Sequence, residues 1–340
     1  MLRHYDQHGG GVKVYTSRLI RALLDLRTEH EFVLLYRNPA LLGTYAGERG
    51  VEEVALTARS VLGWDQLAVP EAVQRHGIDV LFNPKYSIPL RARCRTVWVC
   101  HGLDWYVMPW GSKLVDRLSH RFLVPRYARK ADAIVAVSEV TRRHVMEYLA
   151  VPPDRVATVY SGVDDVFRRP LSPSRRDEIR KKYSLPERFL LYAGAIYPPK
   201  NFTRLVQAYA RVGPERGIPL VVAGGENRFL SEGELRQPEA LGIAEWVRWP
   251  GWIEQEELAE GAAVLVEFES VESIADGIRR ALVDTALRAE LIAAGRVRSQ
   301  DFTWRRCALE TLGVLERVGS TPQRGRAAPV HSASAARSLS

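Results

Sequence analysis

Four short passages of this chain combine residue types that can do chemistry. The first is His8-Gly9-Gly10-Gly11. It leads into an apolar periodicity at Val12, Tyr15, Leu19, Leu23 and Leu26 that reads as a helix. Glycines let a backbone come close to a ligand, and a helix start offers unpaired N–H groups and a partial positive charge to an anion. A triple glycine serves equally well as a flexible turn. The second passage, Tyr192 to Asn201, ends a strand at Gly194, continues through Pro198-Pro199 and sets Lys200 at the start of the next helix. Ligands of open α/β sheets bind beyond the carboxyl ends of strands, so a diphosphate would sit here, with Lys200 adding a full charge. The alternative is a solvated Lys200 beside a capping Asn201. The third passage is Val99-Cys100-His101-Gly102-Leu103-Asp104. It delivers His101 to a strand end, for hydrogen bonding or proton transfer, or for a purely structural hydrogen bond. Asp104 and Ser138, also after strands, carry the same ambiguity. In the fourth passage Lys113, Arg117 and Arg121 lie four apart, with Arg126, Arg129 and Lys130 following and only Asp116 opposing. That face suits anionic lipid or a phosphorylated acceptor, or is simply solvated.

The elements that must hold these groups alternate between apolar runs and helical patterns, which reads as α/β with a largely parallel sheet. The expected strands are 31–36, 79–83, 95–100, 133–138 and 155–160, then 189–195, 219–225 and 246–252. Helices are expected at Phe202, Leu205, Val206 and Tyr209, at Ile274, Ile278 and Leu282, and from a Thr303 cap through Trp304, Leu309, Leu312 and Leu315. The Pro-, Ser- and Arg-rich passage after Arg168 reads as an interdomain linker, with the boundary near 168–172. From Gly319 the chain loses periodicity, and a disordered tail is expected.

At 340 residues there is material for two domains, and 46% hydrophobic with 26% charged residues is ordinary for a soluble protein. The formal charge of +8 asks for an anionic partner. Nucleic acid is not expected, since no helix-turn-helix or finger spacing occurs. Cys94, Cys100 and Cys307 form no CxxC pair, which argues against a zinc site or disulfide framework. No apolar run reaches the ~18–20 residues of a membrane span, and the N-terminal residues carry no export signal. A cytoplasmic protein is expected, at most peripheral at the inner membrane face.

Taken in order, HGGGVKVYTSRLIRAL, VCHGLDWY, DAIVAVSEVTRRHV, VYSGVDDVF, LLYAGAIYPPKNFTRLVQAY, LVVAGG and VRWPGWIEQEEL resemble the family-4 retaining glycosyltransferases, over about residues 3–318. The most specific parts are Gly194–Asn201 and Tyr160–Asp164. The resemblance implies the GT-B fold, an α/β architecture of two Rossmann-like domains facing a cleft. Residues 1–168 would form the acceptor-side domain and 169–302 the nucleotide-sugar-binding domain. Residues 303–318 would be a helix crossing back to the first domain, and 319–340 the tail. By position, Gly10 and Gly11 look like the glycine loop near donor phosphate and acceptor, and His101 like the cleft histidine that contacts the transferred sugar. Gly194, Lys200 and Asn201 look like the diphosphate site, and Gly251 to Ile253 like the loop bordering the base. Arg117 and Arg121 fall on the acceptor or membrane side. The implied reaction transfers a hexose from a nucleotide-diphosphate sugar to a glycan or lipid-linked acceptor, with retention, in polysaccharide or cell-envelope assembly. It uses neither metal nor cofactor, because Lys200 and helix termini neutralise the leaving diphosphate.

The sequence departs from the family pattern at two places. Glu256-Glu257-Leu258-Ala259 runs almost directly into Glu260-Gly261-Ala262-Ala263. The family's paired glutamates, which hold donor sugar and ribose, therefore have no counterpart. The second domain is expected to be incomplete near 258–262, with a reduced sheet. At the start, LRHYD lacks the apolar run of the family's first strand. A catalytically inactive binding or scaffold protein is the alternative reading.

Overall fold

The structure is a computed structural model, and it describes residues 1–3, 5, 10–85, 87–108, 114–169, 171–194, 196, 200–224, 232–251 and 269–321. Ile253, the junction at 258–262 and residues 322–340 lie outside them, as does the side chain of Arg117.

Helix α1 (Gly11–Asp25) opens the first domain. Strands β1 (Phe32–Tyr36) and β2 (Val51–Ala55) form a parallel pair. A helical stretch ending in α2 (Val69–Arg75) leads to β3 (Val80–Asn83) and β4 (Arg95–Cys100). Helix α3 (Leu114–Lys130), β5 (Ala133–Ala136), α4 (Glu139–Leu149) and β6 (Val156–Thr158) complete a parallel sheet ordered β3-β4-β5-β6. Val97, Trp98, Val99 and Cys100 are fully buried, because helices cover both faces of a parallel sheet and its inner strands must be apolar throughout.

The second domain begins after α5 (Pro173–Lys182) with β7 (Leu190–Ala193). Helix α6 (Phe202–Ala210), β8 (Leu220–Ala223) and β9 (Val247–Gly251) follow, and the three strands pair in parallel as β7-β8-β9 among the described residues. Phe202, Val206 and Tyr209 pack against Leu220, Val222 and Val247. The Tyr209 hydroxyl lies 2.9 Å from Ile218 O and 3.2 Å from Trp246 O, pinning α6 to the sheet.

Helices α7 (Val271–Val283) and α8 (Thr285–Ser299) precede α9 (Trp304–Ser320). Helix α9 is the last helix among the described residues, yet it packs on the first domain. Its Cys307, Ala308 and Leu312 share one core with Tyr15 and Leu19 of α1 and Val97 and Val99 of β4. It continues through Gly319 and Ser320, residues expected to belong to the tail. Burial of Val318 and a hydrogen bond from Arg95 Nη2 to Thr321 O at 3.0 Å hold this end in place.

The two crossings between the domains are tied together. Val163 N–H donates to Phe302 O at 2.9 Å, and Arg168 Nη2 donates to Ser299 O and Phe302 O. A Cβ on Gly162 would lie 2.3 Å from Trp304 N, so only glycine lets the two segments cross this closely. The Trp304 indole N–H donates to Asp164 Oδ1 at 2.6 Å, and Arg18 of α1 pairs with the same carboxylate at 2.7 Å.

Candidate functional site

In the first domain the chemistry gathers at the carboxyl edge of β3 and β4. Helix α1 starts from Gly10 (φ +99°), and no side chain caps it. Lys13 N–H donates to Gly10 O at 3.1 Å, which closes the first turn on the glycine backbone alone. One turn on, the Tyr15 ring meets His101 edge-on, with centroids 4.8 Å apart. The structure thus sets His101 against the second turn of the helix that follows the glycines, 86 residues from Tyr15 in sequence.

His101 follows β4 and its Nε2 lies 2.7 Å from Pro84 O. A carbonyl only accepts, so Nε2 carries the proton and Nδ1 is the bare nitrogen of the neutral ring. Burial lowers the imidazole pKa, and the positive charge of Lys85 lowers it further. At neutral pH His101 is a neutral acceptor rather than a proton donor at Nδ1. Ser138, by contrast, is an N-cap: its hydroxyl accepts from Thr141 N–H at 3.1 Å.

Lys85 is a further charged group at this edge, outside the four passages that the sequence singles out. It follows β3 as His101 follows β4, and its own strand-end position was the available signal. Burial pushes its amine down to about 8, with Arg3 contributing. Arg3 reaches Asp65 at 3.5 Å and Ser87 Oγ at 3.3 Å. Burial raises the Asp65 carboxyl above its usual range, against the pull of Arg3.

In the second domain β7, β8 and β9 end side by side, with Ala193 opposite Ala223 and Ala223 opposite Gly251. Gly194 (φ +135°) follows β7 and its N–H donates to Ala223 O at 2.9 Å. A Cβ on Gly224 would fall 2.1 Å from Gly194 O. The two strand ends touch through bare backbone. Lys200 is exposed immediately before α6. Asn201 stands at the N-cap, but not as the capping side chain the sequence suggested. Its backbone is left-handed (φ 55°) and its Oδ1 accepts from Arg204 Nη1 at 3.0 Å. The α6 terminus is thereby left without a side-chain cap.

Arg121 is exposed on α3 beside Leu118 and Phe122, which are 46% and 57% exposed. No helix among the described residues is long and apolar enough to cross a membrane. Among them no group of three or more His, Cys, Asp or Glu side chains could hold a metal ion.

The model for Glycosyltransferase Family 4 matches residues 9–167. The serotype-specific mannosyltransferase WbdA of Escherichia coli is 33% identical over 158 residues, 44% of this chain and 19% of WbdA. The match thus spans about a fifth of that relative's length. The O-antigen chain mannosyltransferase B of Escherichia coli is 24% identical over 289 residues, 70% of this chain and 74% of the relative. Among solved structures, a glycosyltransferase from Rickettsia africae superposes with a TM-score of 0.67 at 14% identity, covering 93% of this chain and 97% of its own. Anabaena HepE in complex with UDP and glucose superposes with a TM-score of 0.66 at 16% identity, covering 92% and 98%.

Proposed function

We propose that this chain, whose residues 9–167 match the Glycosyltransferase Family 4 model and whose fold is GT-B, transfers a hexose from a nucleotide-diphosphate sugar to a glycan or lipid-linked acceptor. The observation that carries the reading is the carboxyl edge of β7-β8-β9. There Gly194 and Gly224 meet backbone to backbone, and Lys200 precedes the uncapped start of α6. Bare backbone, helix-terminal N–H groups and one ammonium are the means by which a protein holds a diphosphate without a metal. As the glycosidic bond breaks, charge grows on the leaving diphosphate, and these groups stabilise it. His101, neutral and with Nδ1 as acceptor, takes a hydrogen bond from a sugar hydroxyl. The glycine turn at Gly10 and Gly11 approaches the donor phosphate from the first domain. Gly251 and Ile253 border the base. The transfer proceeds with retention, in polysaccharide or cell-envelope assembly. The complex of HepE with UDP and glucose and the mannosyltransferase relatives support this reading by analogy. Arg117, Arg121 and the exposed Phe122 form the acceptor or anionic-membrane side.

The missing glutamate pair favours one alternative, a protein that binds nucleotide diphosphate without turnover. The test is thermal stabilisation by UDP and GDP, followed by transfer from UDP-glucose and GDP-mannose. Lys200→Ala is expected to weaken nucleotide binding about 10- to 100-fold, the worth of one charged hydrogen bond. His101→Ala should lower transfer and leave UDP binding within about twofold. Binding without transfer supports the alternative. Absence of both in a folded sample ends the proposal.

A further inference from the structure

His101 is held at both ends and still keeps one freedom. Its Cβ is fixed by the backbone that leaves β4, and Nε2 donates to Pro84 O at 2.7 Å. A ring tied at Cβ and Nε2 can rock about the line between them, because one hydrogen bond fixes a point and not a plane. A second contact sets the plane. The Tyr15 ring stands at 88° to the imidazole, with centroids 4.8 Å apart. Edge-to-face contact is a geometry that aromatic quadrupoles favour, so it resists the tilting of either ring.

Tyr15 is itself 3% exposed and has no room to yield. It reaches from α1 to α9, where it shares a core with Cys307, Ala308 and Leu312. Its ring meets that of Trp304, the first residue of α9, at 66° and 6.0 Å. Among the described residues the Tyr15 hydroxyl makes no hydrogen bond, so the ring carries its contacts.

Trp304 is clamped in turn. Its indole N–H donates to Asp164 Oδ1 at 2.6 Å, and its ring covers Gly162 so closely that a Cβ there would fall 2.6 Å from Trp304 Cγ. Gly162 to Asp164 belong to one crossing between the domains; Phe302, hydrogen-bonded to Val163, belongs to the other. Arg18 closes the circuit. It lies three residues after Tyr15 on the same face of α1, and pairs with Asp164 Oδ2 at 2.7 Å. His101, Tyr15, Trp304, Asp164 and Arg18 thus make one run of contacts from the sheet edge to both crossings. Tyr15 is the member whose ring touches His101 and Trp304 alike.

We propose that Tyr15 is a positioning residue for His101. Its ring holds the imidazole plane in the orientation that presents Nδ1 to the sugar. Trp304 behind it makes that orientation depend on how the two domains cross. The proposal rests on the reading of His101 as the group that meets the transferred sugar. A hydrogen bond weakens steeply as its angle bends, so a rocking imidazole loses Nδ1 as an acceptor while keeping its place in the site. The loss falls on transfer. Gly194 and Lys200, which hold the diphosphate in that reading, stand in the second domain and outside the core around Tyr15.

The experiment labels the histidine imidazoles isotopically and follows nuclear relaxation of the His101 ring in the unliganded full chain, which reports its rocking. Tyr15→Phe keeps the ring and should leave the imidazole rigid. Tyr15→Leu removes the ring and should set the imidazole in motion. Trp304→Leu should do the same through an intact Tyr15. Gly217→Ala, strained far from this core, is the control for lost stability and should leave His101 rigid. In transfer from UDP-glucose or GDP-mannose, kcat should fall about tenfold in Tyr15→Leu and stay within about twofold in Tyr15→Phe. UDP affinity should hold within about twofold in both.

A rigid imidazole in folded Tyr15→Leu overturns the proposal, and so does equal motion in Tyr15→Leu and Tyr15→Phe. A fall in UDP affinity as large as the fall in kcat overturns it as well, since that marks general loss of packing. A rigid imidazole in Trp304→Leu overturns the dependence on the crossing. If Tyr15→Leu does not fold, Tyr15→Met takes its place, an unbranched side chain that fills irregular space without a ring. A parent that transfers neither sugar ends the reading of His101, while the ring motion still decides whether Tyr15 holds it.

Discussion

Replacing Gly224 with alanine tests whether contact between bare strand ends holds the candidate diphosphate site together. The added Cβ would lie 2.1 Å from Gly194 O and 3.0 Å from Gly194 C. Ordinary contact needs roughly 3.4–3.5 Å, so the strand ends must part by about 1.3 Å. The obstacle is backbone, and no rotamer change can relieve it. The opening also stretches the bond from Gly194 N–H to Ala223 O, now 2.9 Å. A lost backbone bond costs about 0.5–1.5 kcal/mol and overpacking about 1–3 kcal/mol. A destabilisation of about 2–4 kcal/mol is expected, a fall in Tm on the order of 10 °C for a domain of this size. Because the displaced loop carries Gly194 toward Lys200, affinity for UDP should drop about tenfold or more in titration calorimetry. Gly217→Ala is the control. Its Cβ meets nothing within 4 Å, but its φ of +62° is strained for any side chain, at about 1 kcal/mol. It should lower stability and leave UDP binding unchanged. A folded Gly224→Ala protein with Tm within about 2 °C of the parent and unchanged UDP affinity would refute the close-approach argument.

Three further outcomes are expected. Gly313 lies within α9 and a Cβ there meets nothing within 4 Å, so Gly313→Ala should raise the urea-derived stability by about 0.5–1 kcal/mol. Trp304→Phe removes the indole donor to Asp164 Oδ1, and a loss of about 1.5–3 kcal/mol is expected in the same assay. For the Met1 amine, burial holds the folded pKa near 5, against 8.0 for a free terminus. Between those values the unfolded chain binds more protons, so stability is complete above about pH 8 and is lost as pH falls toward 5, by up to about 4 kcal/mol. His101, lowered by burial, contributes with the same sign, and Asp65, raised by burial, with the opposite one. The decisive quantity is therefore the difference between free and Nα-acetylated protein in urea melts at pH 8 and 5.5. Acetylation should flatten the profile, and equal slopes would contradict the burial of this amine.

What the residues disclosed in advance depended on whether the relevant physics was local. Strand β4 was legible to its ends, because burial on both faces leaves a continuous apolar run, Val97 to Cys100. Strand β2 was not, since Glu52 and Glu53 break the pattern of an edge strand; Glu53 is there to accept from the Tyr36 hydroxyl and Gly43 N–H. Helix α8 escaped for a related reason: it buries no residue fully and so carries no strong apolar stripe. His101 and Gly194 were found because ligands gather where parallel strands end. Lys85 obeys the same rule, but Asn83-Pro84 before it reads as a turn.

Relations between distant segments left no such mark. Nothing in the periodicity pairs Asp164 with Trp304, 140 residues on, although the crossing of the two domains rests on it. Adjacency of strands is hidden in the same way. Val33 and Val80 would be apolar whether their strands had one neighbour or two, because a residue between helix layers answers to the layers and not to the ladder. Among the described residues β1 pairs with β2 and β3 with β4, through the C=O that every residue carries and the N–H that all but proline carry. A strand's composition reports what covers its faces; only the hydrogen-bond ladder reports what lies at its edge.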